Sequence, residues 1–204
     1  MGVMKIDLCR RASFRLARMA VASLLTLGAA TSMTALPIEA QASTAAALGL
    51  DQLTILADRV IVGEVLSVES RWDAEHKRIF TNIQVQVAEA WKGGTAPGGK
   101  VLVQQPGGRV GDIESRVHGL AEFRAGDRAV LFLKGAESAS AVLGLGQGVR
   151  PLRFDAAAKT WMVMGGDRSA AVKAGPNGHF VPADADPILT LETLRAQIMA
   201  LVRR

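Results

Sequence analysis

The clearest pattern along the chain is an alternation of apolar and polar residues over 79–91. One face carries Ile79, Thr81, Ile83, Val85, Val87 and Trp91, and the other carries Asn82, Gln84 and Gln86. This period of two predicts a half-buried β-strand. At about 3.3 Å per residue such a strand is about 40 Å long, which predicts that it bends around a barrel.

The segment 59–69, ahead of this strand, is rich in Val and Ile with Gly63 at its middle. It predicts a second strand, in which Gly63 permits a bulge or a sharp bend. The two strands form a predicted hairpin whose tip is the charged segment 73–77.

Further short apolar segments are separated by Gly, Pro and Asp clusters and predict additional strands. They cover 101–105, 129–133, 141–145, 149–154 and 160–164. Since no helix pattern intervenes, this spacing favours an antiparallel barrel or sandwich over an α/β sheet. Helix signals lie at the ends, over 51–58 and after Thr190, which can cap an amphipathic C-terminal helix.

Residues 1–42 have the order of a secretory signal peptide. Basic residues precede an uncharged stretch over 19–36, and Ala40 and Ala42 supply the small side chains that a signal peptidase needs. We expect cleavage after Ala42 and an exported protein, periplasmic or extracellular, that meets a membrane only through this segment. An uncleaved anchor is the alternative, although the stretch is weakly apolar for a stable span.

The sequence predicts five segments. We expect a signal peptide over 1–42, a flexible N-terminus over 43–50, a β-barrel domain over 51–165, a loop or linker over 166–187 and a C-terminal helix over 188–204. The fold class is therefore mainly all-β, with a short helix before the first barrel strand and a helix at the end.

The charge balance changes once the signal is removed. The chain has 24 Lys and Arg against 19 Asp and Glu, and 1–42 holds five of the basic and two of the acidic residues, so the net charge falls from +5 to +2. A nearly balanced chain lacks the basic stripe that nucleic acids require, which predicts no nucleic-acid partner. The only cysteine, Cys9, lies in the same segment, so the exported domain relies on its core rather than on disulfides.

Two segments at the ends of the predicted hairpin carry a further pattern. The first is 56–65, with the sequence Ala-Asp-Arg-Val near its start, and the second is 85–93, which ends in Trp-Lys-Gly. Together they resemble the opening hairpin of netrin-like modules, the family that includes the tissue inhibitors of metalloproteinases. The resemblance implies an antiparallel OB-type barrel.

The inhibitors of that family chelate a protease zinc through an N-terminal cysteine. Here the expected mature chain begins at Ser43, so the resemblance implies the fold and not the inhibition. The segments 117–133 and 144–148 are similar to uncharacterised secreted bacterial proteins, which implies a lineage without an activity.

Barrels of OB type often bind ligands through exposed aromatic residues and loops. Trp91 and Phe132 fall in strand patterns and are predicted core residues. Trp72, beside Arg71 at the end of the hairpin, is the predicted binding contact, because Trp and Arg are favoured interface anchors. Arg109, in a Pro-Gly-Gly-Arg turn, is a second candidate.

The sequence shows no cluster typical of a metal or cofactor. His76, His118 and His179 are isolated from one another, so we predict no structural metal. The glycines of 144–148 are followed by Pro151, which disfavours the helix that a phosphate site needs. They are predicted to relieve crowding where a strand bends, and no cofactor is expected.

These observations favour an exported, non-catalytic binding or accessory module that recognises an extracellular or periplasmic protein through barrel-end loops. The alternative is a secreted hydrolytic enzyme whose site assembles only in three dimensions, from His118 with Asp112 or Glu114. That alternative predicts that these side chains share one concave pocket. A binder of single-stranded nucleic acid or of glycans is a third hypothesis.

Overall fold

The computed structural model describes residues 45–175 and 179–203, and the predicted signal peptide over 1–42 lies outside this part of the chain. Strands make up most of the secondary structure, and a helix stands at the C-terminal end. The predicted mainly-β class is therefore confirmed.

The elements follow one another along the chain in three groups. The first comprises β1 (Ala45–Ala46), α1 (Leu50–Leu56), β2 (Arg59–Trp72), β3 (Ile79–Lys92) and β4 (Lys100–Pro106). The second comprises β5 (Gly108–Val110), β6 (Ile113–Ser115), β7 (Arg128–Ala136), β8 (Ala139–Val142), a 3-10 turn (Leu145–Gly148), β9 (Val149–Asp155) and β10 (Thr160–Val163). The third comprises β11 (Ala171–Ala174), β12 (Phe180–Pro182), β13 (Leu189–Thr190) and α2 (Leu191–Val202).

The main sheet has the strand order β13-β10-β9-β7-β2-β3-β4-β8. Strand β8 also pairs antiparallel with β7, and it meets β4 through one parallel bridge between Val103 and Ser140. The pairings of β7, β2, β3, β4 and β8 therefore form a ring. Within the described residues, β1-β11-β12 and β5-β6 form two smaller sheets.

The predicted hairpin of β2 and β3 is present and contains register shifts, one of them between Val62 and Gly63. A Cβ atom at Gly63 would lie 2.4 Å from Val85 Cγ1 and 2.9 Å from the Gln86 carbonyl oxygen. Glycine is required here because no side chain fits, and the predicted irregularity at Gly63 is confirmed.

Apolar residues are buried on both faces of the central strands. The inner cluster contains Ile61, Val65, Ile83, Val85, Val87, Val101, Val103, Leu131 and Leu133 among others. The outer cluster joins the sheet to both helices through Leu53, Val60, Val62, Trp91, Phe132, Leu194 and Ile198 among others. Strands β2 and β7 are thus apolar on both faces, which explains their nearly continuous runs of Val, Ile and Leu.

Trp91 and Phe132 are buried, as their strand patterns predict. The alternation placed Trp91 on the same face as Val87, and this part of the prediction is wrong. Trp91 belongs to the outer cluster, whereas Val87 belongs to the inner one. The register shift between Val62 and Gly63 leaves Ala88 of β3 without a partner in the ladder, which reverses the faces of the β3 residues beyond it.

The flexible N-terminus predicted over 43–50 is corrected for its described residues. Ala45 and Ala46 pair in parallel with β11. The buried Gln147 amide accepts from the Leu48 backbone N–H at 2.8 Å and donates to the Ala46 carbonyl at 3.1 Å. This buried side chain ties the segment to the 3-10 turn, a contact that local sequence could not indicate.

The loop or linker predicted over 166–187 is also corrected, because it contains β11 and β12. Asp186 accepts charged hydrogen bonds from Arg150, which is 4% exposed, and from Arg168 at 2.9 Å. Arg168 also donates to the Leu48 carbonyl at 2.6 Å. A buried ion cluster therefore fixes this segment to the main sheet.

The C-terminal helix agrees with its predicted start. The Thr190 hydroxyl accepts a hydrogen bond from the Thr193 backbone N–H at 3.2 Å, which confirms Thr190 as the N-cap. Leu194 and Ile198 are buried in the outer cluster, while Val202 is 38% exposed. The predicted apolar stripe is therefore buried at its centre and extends into solvent at its end.

The glycines of 144–148 belong to the 3-10 turn, with Gly144 as its N-cap, instead of a bent strand, and the strand predicted over 141–145 ends at Val142. Gly144 has φ +67, and a Cβ at Gly148 would lie 2.4 Å from the Leu143 carbonyl oxygen. These glycines allow close backbone packing, and no helix of the kind that receives a phosphate follows them.

Candidate functional site

Strands β2, β3 and β4 place residues directly opposite one another in successive rows. The first row is Val65, Val85 and Val101, the second is Val68, Ile83 and Val103, and the third is Ser70, Thr81 and Gln105. The third row is termed the polar row. It continues an apolar face of the sheet with hydroxyl and amide groups.

The polar row opens into a cleft of about 910 Å³, termed the end cleft, which is within the size range of ligand sites. The opposite wall consists of residues between 107 and 124, which lie ahead of β7. Val68 lines the cleft and is 37% exposed, although Ile83 beside it in the second row is fully buried. The apolar floor therefore reaches solvent at this end of the sheet.

The two hydroxyl groups of the polar row have a defined hydrogen-bond direction. Thr81 Oγ1 donates its hydrogen to the Gly107 carbonyl oxygen at 2.7 Å. Thr81 can therefore only accept from Ser70, whose Oγ lies 2.9 Å from Thr81 Oγ1. Ser70 is the donor in this pair, and its oxygen retains lone pairs that can accept.

Gln105 is 7% exposed, and its Nε2 has no hydrogen-bond partner within the part of the chain that the structure describes. A buried donor without an acceptor costs about 1–3 kcal/mol. Its neighbour Gln104 is exposed and donates to Asn82 Oδ1 at 3.1 Å. The sequence analysis did not identify Gln105; the available signal was an amide at the next inward position after Val101 and Val103.

A second, smaller concavity lies beside the end cleft and is termed the tip groove. Its volume is about 320 Å³, and its lining includes Trp72, Arg78, Phe80 and Ile113. Backbone or side-chain atoms of Pro106, Gly107, Ser115 and Val117 contribute to both concavities. The end of the hairpin and the segment after β4 therefore form one continuous concave surface.

The structure places one of the three predicted binding residues in a concavity and the other two outside it. Trp72 lies in the tip groove, half-buried, with its ring centroid 6.4 Å from that of His76. Arg71 is exposed and ion-paired with Glu69, and Arg109 is exposed and donates to the Gly111 carbonyl at 3.2 Å. Neither arginine lines either concavity. Adjacent residues of a strand point to opposite faces, which separates Arg71 from Trp72.

Charged side chains at the rim of the end cleft have both signs. Arg116 donates to Glu114 Oε1 at 2.5 Å. This hydrogen bond lowers the pKa of Glu114 below its ordinary value and raises the pKa of Arg116. Glu122, Arg124 and Asp167 complete the charged lining. The rim therefore carries no strong excess of either charge.

The residues of the hydrolase alternative meet only in part. Glu114 and His118 both line the end cleft, whereas Asp112 does not. The Glu114 carboxylate is engaged by Arg116, and no described hydrogen bond joins His118 to a carboxylate or to a hydroxyl. The cleft thus holds one of the two pairs that this alternative allows, His118 with Glu114, without the nucleophile-base contact that activated hydrolases use.

Among residues 45–175 and 179–203, no group of three or more His, Cys, Asp or Glu side chains lies close enough to hold a metal ion. The two aspartates near the end of the chain, Asp184 and Asp186, form ion pairs with Lys and Arg side chains of the protein. Asp184 pairs with Lys173, and Asp186 pairs with Arg150 and Arg168.

Neither described helix is long and apolar enough to cross a membrane. The chain matches no known protein-family model, and no curated protein is similar enough to count as a match.

Proposed function

We propose that the chain is an exported, non-catalytic binding module on a netrin-like, OB-type β-barrel, and that it recognises an extracellular or periplasmic protein through the loops at one end of the barrel. The observation that carries the proposal is the convergence of Trp72, Phe80 and Ile113 around the tip groove, directly beside the end cleft.

The strand pairing supports the barrel. The five strands of the ring, in chain order, are β2, β3, β4, β7 and β8. Around the ring they neighbour one another in the order β2-β3-β4-β8-β7, and the contact between β4 and β8, the third and fifth strands, is the parallel one. This order is typical of the five-stranded Greek-key barrel of OB type. The packing of α1 and α2 on the outer face is in keeping with the resemblance to netrin-like modules.

The chemistry of the tip groove supports a protein partner. Ile113 is 55% exposed at the groove, and the half-buried Trp72 and Phe80 lie with it. Aromatic and apolar side chains in a concave surface are the usual anchors of protein interfaces. Arg78 also lines the groove, beside Lys77, which pairs with Glu75 at 2.8 Å. Arg78 favours a partner segment with an apolar anchor beside an acidic residue.

Export is supported by the order of residues in 1–42, where basic residues precede an uncharged stretch and small residues. The full chain with a C-terminal tag tests it directly. We expect the tagged protein in the exported fraction with its N-terminus at Ser43, measured by intact mass. A full-length product confined to the cytosol contradicts this part of the proposal.

Partner recognition is tested by photo-crosslinking on the exported protein. A photoreactive residue at position 113 is expected to give a discrete adduct, whereas one at position 180 is not, because the 76% exposed Phe180 lies outside both concavities. Trp72→Ala is expected to abolish the adduct from position 113. Trp161→Ala, at a half-buried tryptophan that packs against Phe154, is the matched control. The adduct from position 113 is expected to form in this variant as in the wild type. Equal adducts from both positions contradict the proposal.

The hydrolase alternative is supported by the shared position of Glu114 and His118 in the end cleft. It predicts turnover of ester, peptide or glycoside substrates that His118→Ala abolishes. The binding proposal predicts no turnover above the level of the His118→Ala protein. Activity that depends on His118 replaces the binding module with an enzyme.

A further inference from the structure

The polar row, whose three residues line the end cleft, contains both kinds of hydrogen-bonding group. Gln105 Nε2 is a donor without a partner among the described residues, and Ser70 Oγ retains acceptor lone pairs because its hydrogen is given to Thr81. No side chain of the polar row is charged. A ligand that satisfies the row must therefore supply an acceptor and a donor and needs no charge.

The floor next to the polar row is apolar. Val68 and Ile83 lie one row deeper in the sheet, and Val149 and Phe123 lie elsewhere on the cleft wall. Since Val68 is 37% exposed, apolar surface is available to a ligand that enters the cleft. A ligand group with branched aliphatic carbon atoms beside its polar atoms fits this arrangement.

The rim disfavours a strongly charged ligand. Arg116 is engaged by Glu114, and the remaining charged lining of Glu122, Arg124 and Asp167 contains both signs. His118 is exposed at the same rim. An anion or a cation therefore meets a charge of its own sign as well as the opposite one.

We propose that the end cleft binds a short, uncharged apolar peptide segment, with the Gln105 side chain turning its buried Nε2 toward the cleft to donate to a main-chain carbonyl and with Ser70 Oγ accepting from a main-chain N–H. A peptide group carries this donor and acceptor side by side, and leucine-like side chains cover the apolar floor. The site does not require the partner proposed for the tip groove.

The test uses the exported full-chain protein and N-acetyl-leucyl-leucine N-methylamide as the probe. We expect saturable binding by calorimetry, together with a shift of the Gln105 side-chain amide resonances in NMR spectra. The same compound with its amide nitrogens methylated lacks the donors, and N-acetyl-glycyl-glycine N-methylamide lacks the apolar groups. Each is expected to bind at least tenfold more weakly than the probe.

Two neighbouring glutamines provide the matched variants. Gln105→Met removes the donor at nearly constant volume and is expected to weaken binding about tenfold, while Gln104→Met on the exposed face leaves it unchanged. Absence of saturable binding to the wild type overturns the proposal, as does equal binding of all three compounds or an equal loss in both variants. The wild-type amide shift is an independent readout if Gln105→Met folds poorly.

The peptide can be a free molecule or a segment of the partner. Displacement of the adduct from position 113 by the probe assigns the peptide to the partner, and binding without displacement assigns it to a free peptide; both support the site. Failure of the probe to bind while the adduct still forms removes this site and leaves the tip groove. Probe binding in the absence of any adduct does the reverse.

Discussion

Thr81 and Gln105 lie directly opposite one another on β3 and β4, yet only Thr81 has its polar hydrogen accepted by another group of the described chain. Two residues of the same row thus differ in whether the folded chain provides an acceptor for their hydrogen-bond donor. The difference gives the end cleft one donor that folding alone leaves unused.

The first prediction concerns the stability cost of that donor. Gln105→Met is expected to increase the free energy of unfolding by about 1 kcal/mol, because a buried donor without an acceptor is replaced by apolar atoms. Gln104→Met is expected to stay within about 0.5 kcal/mol of the wild type. Urea unfolding measures both, and a loss of stability in Gln105→Met contradicts the assignment of Nε2 as unpaired.

The second prediction concerns the buried ion cluster. Asp186→Asn is expected to destabilise the protein by about 3–5 kcal/mol, because Arg150 and Arg168 lose the carboxylate between them. Asp184→Asn changes the same residue type two positions earlier, where the side-chain partner Lys173 is 44% exposed, and is expected to have a much smaller effect because solvent screens this pair. Denaturant midpoints of the two variants compare the effects. Equal midpoints show that the cluster does not hold the segment.

The third prediction concerns pH. The pKa of Asp58 lies below its ordinary value, first because its carboxylate accepts from the Gly135 N–H at 2.9 Å and then because it pairs with Lys134. A depressed folded-state pKa stabilises the fold above the unfolded-state pKa, and this contribution is lost as the pH falls through the folded-state value.

Asp58→Asn is therefore expected to be less stable than the wild type at pH 7, with the gap closing as the pH falls from about 5 to about 2. Denaturant midpoints across this range measure the gap. Asp112→Asn, at an exposed position, is the control and is expected to follow the wild type throughout. A gap of constant size from neutral to acid pH refutes the link to Asp58.

The fourth prediction concerns close packing in the central hairpin. Gly63→Ala is expected to lower the free energy of unfolding by about 1–3 kcal/mol, since its Cβ meets Val85 Cγ1 and the Gln86 carbonyl at less than contact distance. Gly94→Ala is the control, because nothing lies within 4 Å of its added Cβ. Thermal unfolding of both variants distinguishes them, and a neutral Gly63→Ala shows that the hairpin adjusts without cost.

The sequence predicted the strands best where alternation and apolar content agreed, as over 79–91 and 129–133. It misplaced Trp91 because an extra residue in β3, opposite Val62 and Gly63, changes the face of the residues beyond it, and such a shift depends on the partner strand. It missed β11 and β12 because both are short, β12 ends in a proline, and one partner of β11 is the distant β1. Local patterns carry no information about such pairings.

The candidate site was predicted only in outline. Trp72 was identified from its position at a strand end, but Gln105 was read as the last residue of a strand and its burial was not anticipated. The cleft depends on how the segment between β4 and β7 returns over the sheet, and that segment contains only the short β5 and β6. Its path follows from tertiary contacts such as the Gly146 N–H donating to the Gly119 carbonyl at 2.7 Å.

The parallel pairing of β1 with β11 has a consequence for the timing of maturation. The Leu48 carbonyl can accept its hydrogen bond only after Arg168 is made, 120 residues further along the chain, and Ala45 can pair only after β11 is made. A chain that emerges from its N-terminus thus cannot close this junction until nearly all of it has emerged. The contact that holds the start of the described domain therefore forms late, shortly before β13 and α2 can dock.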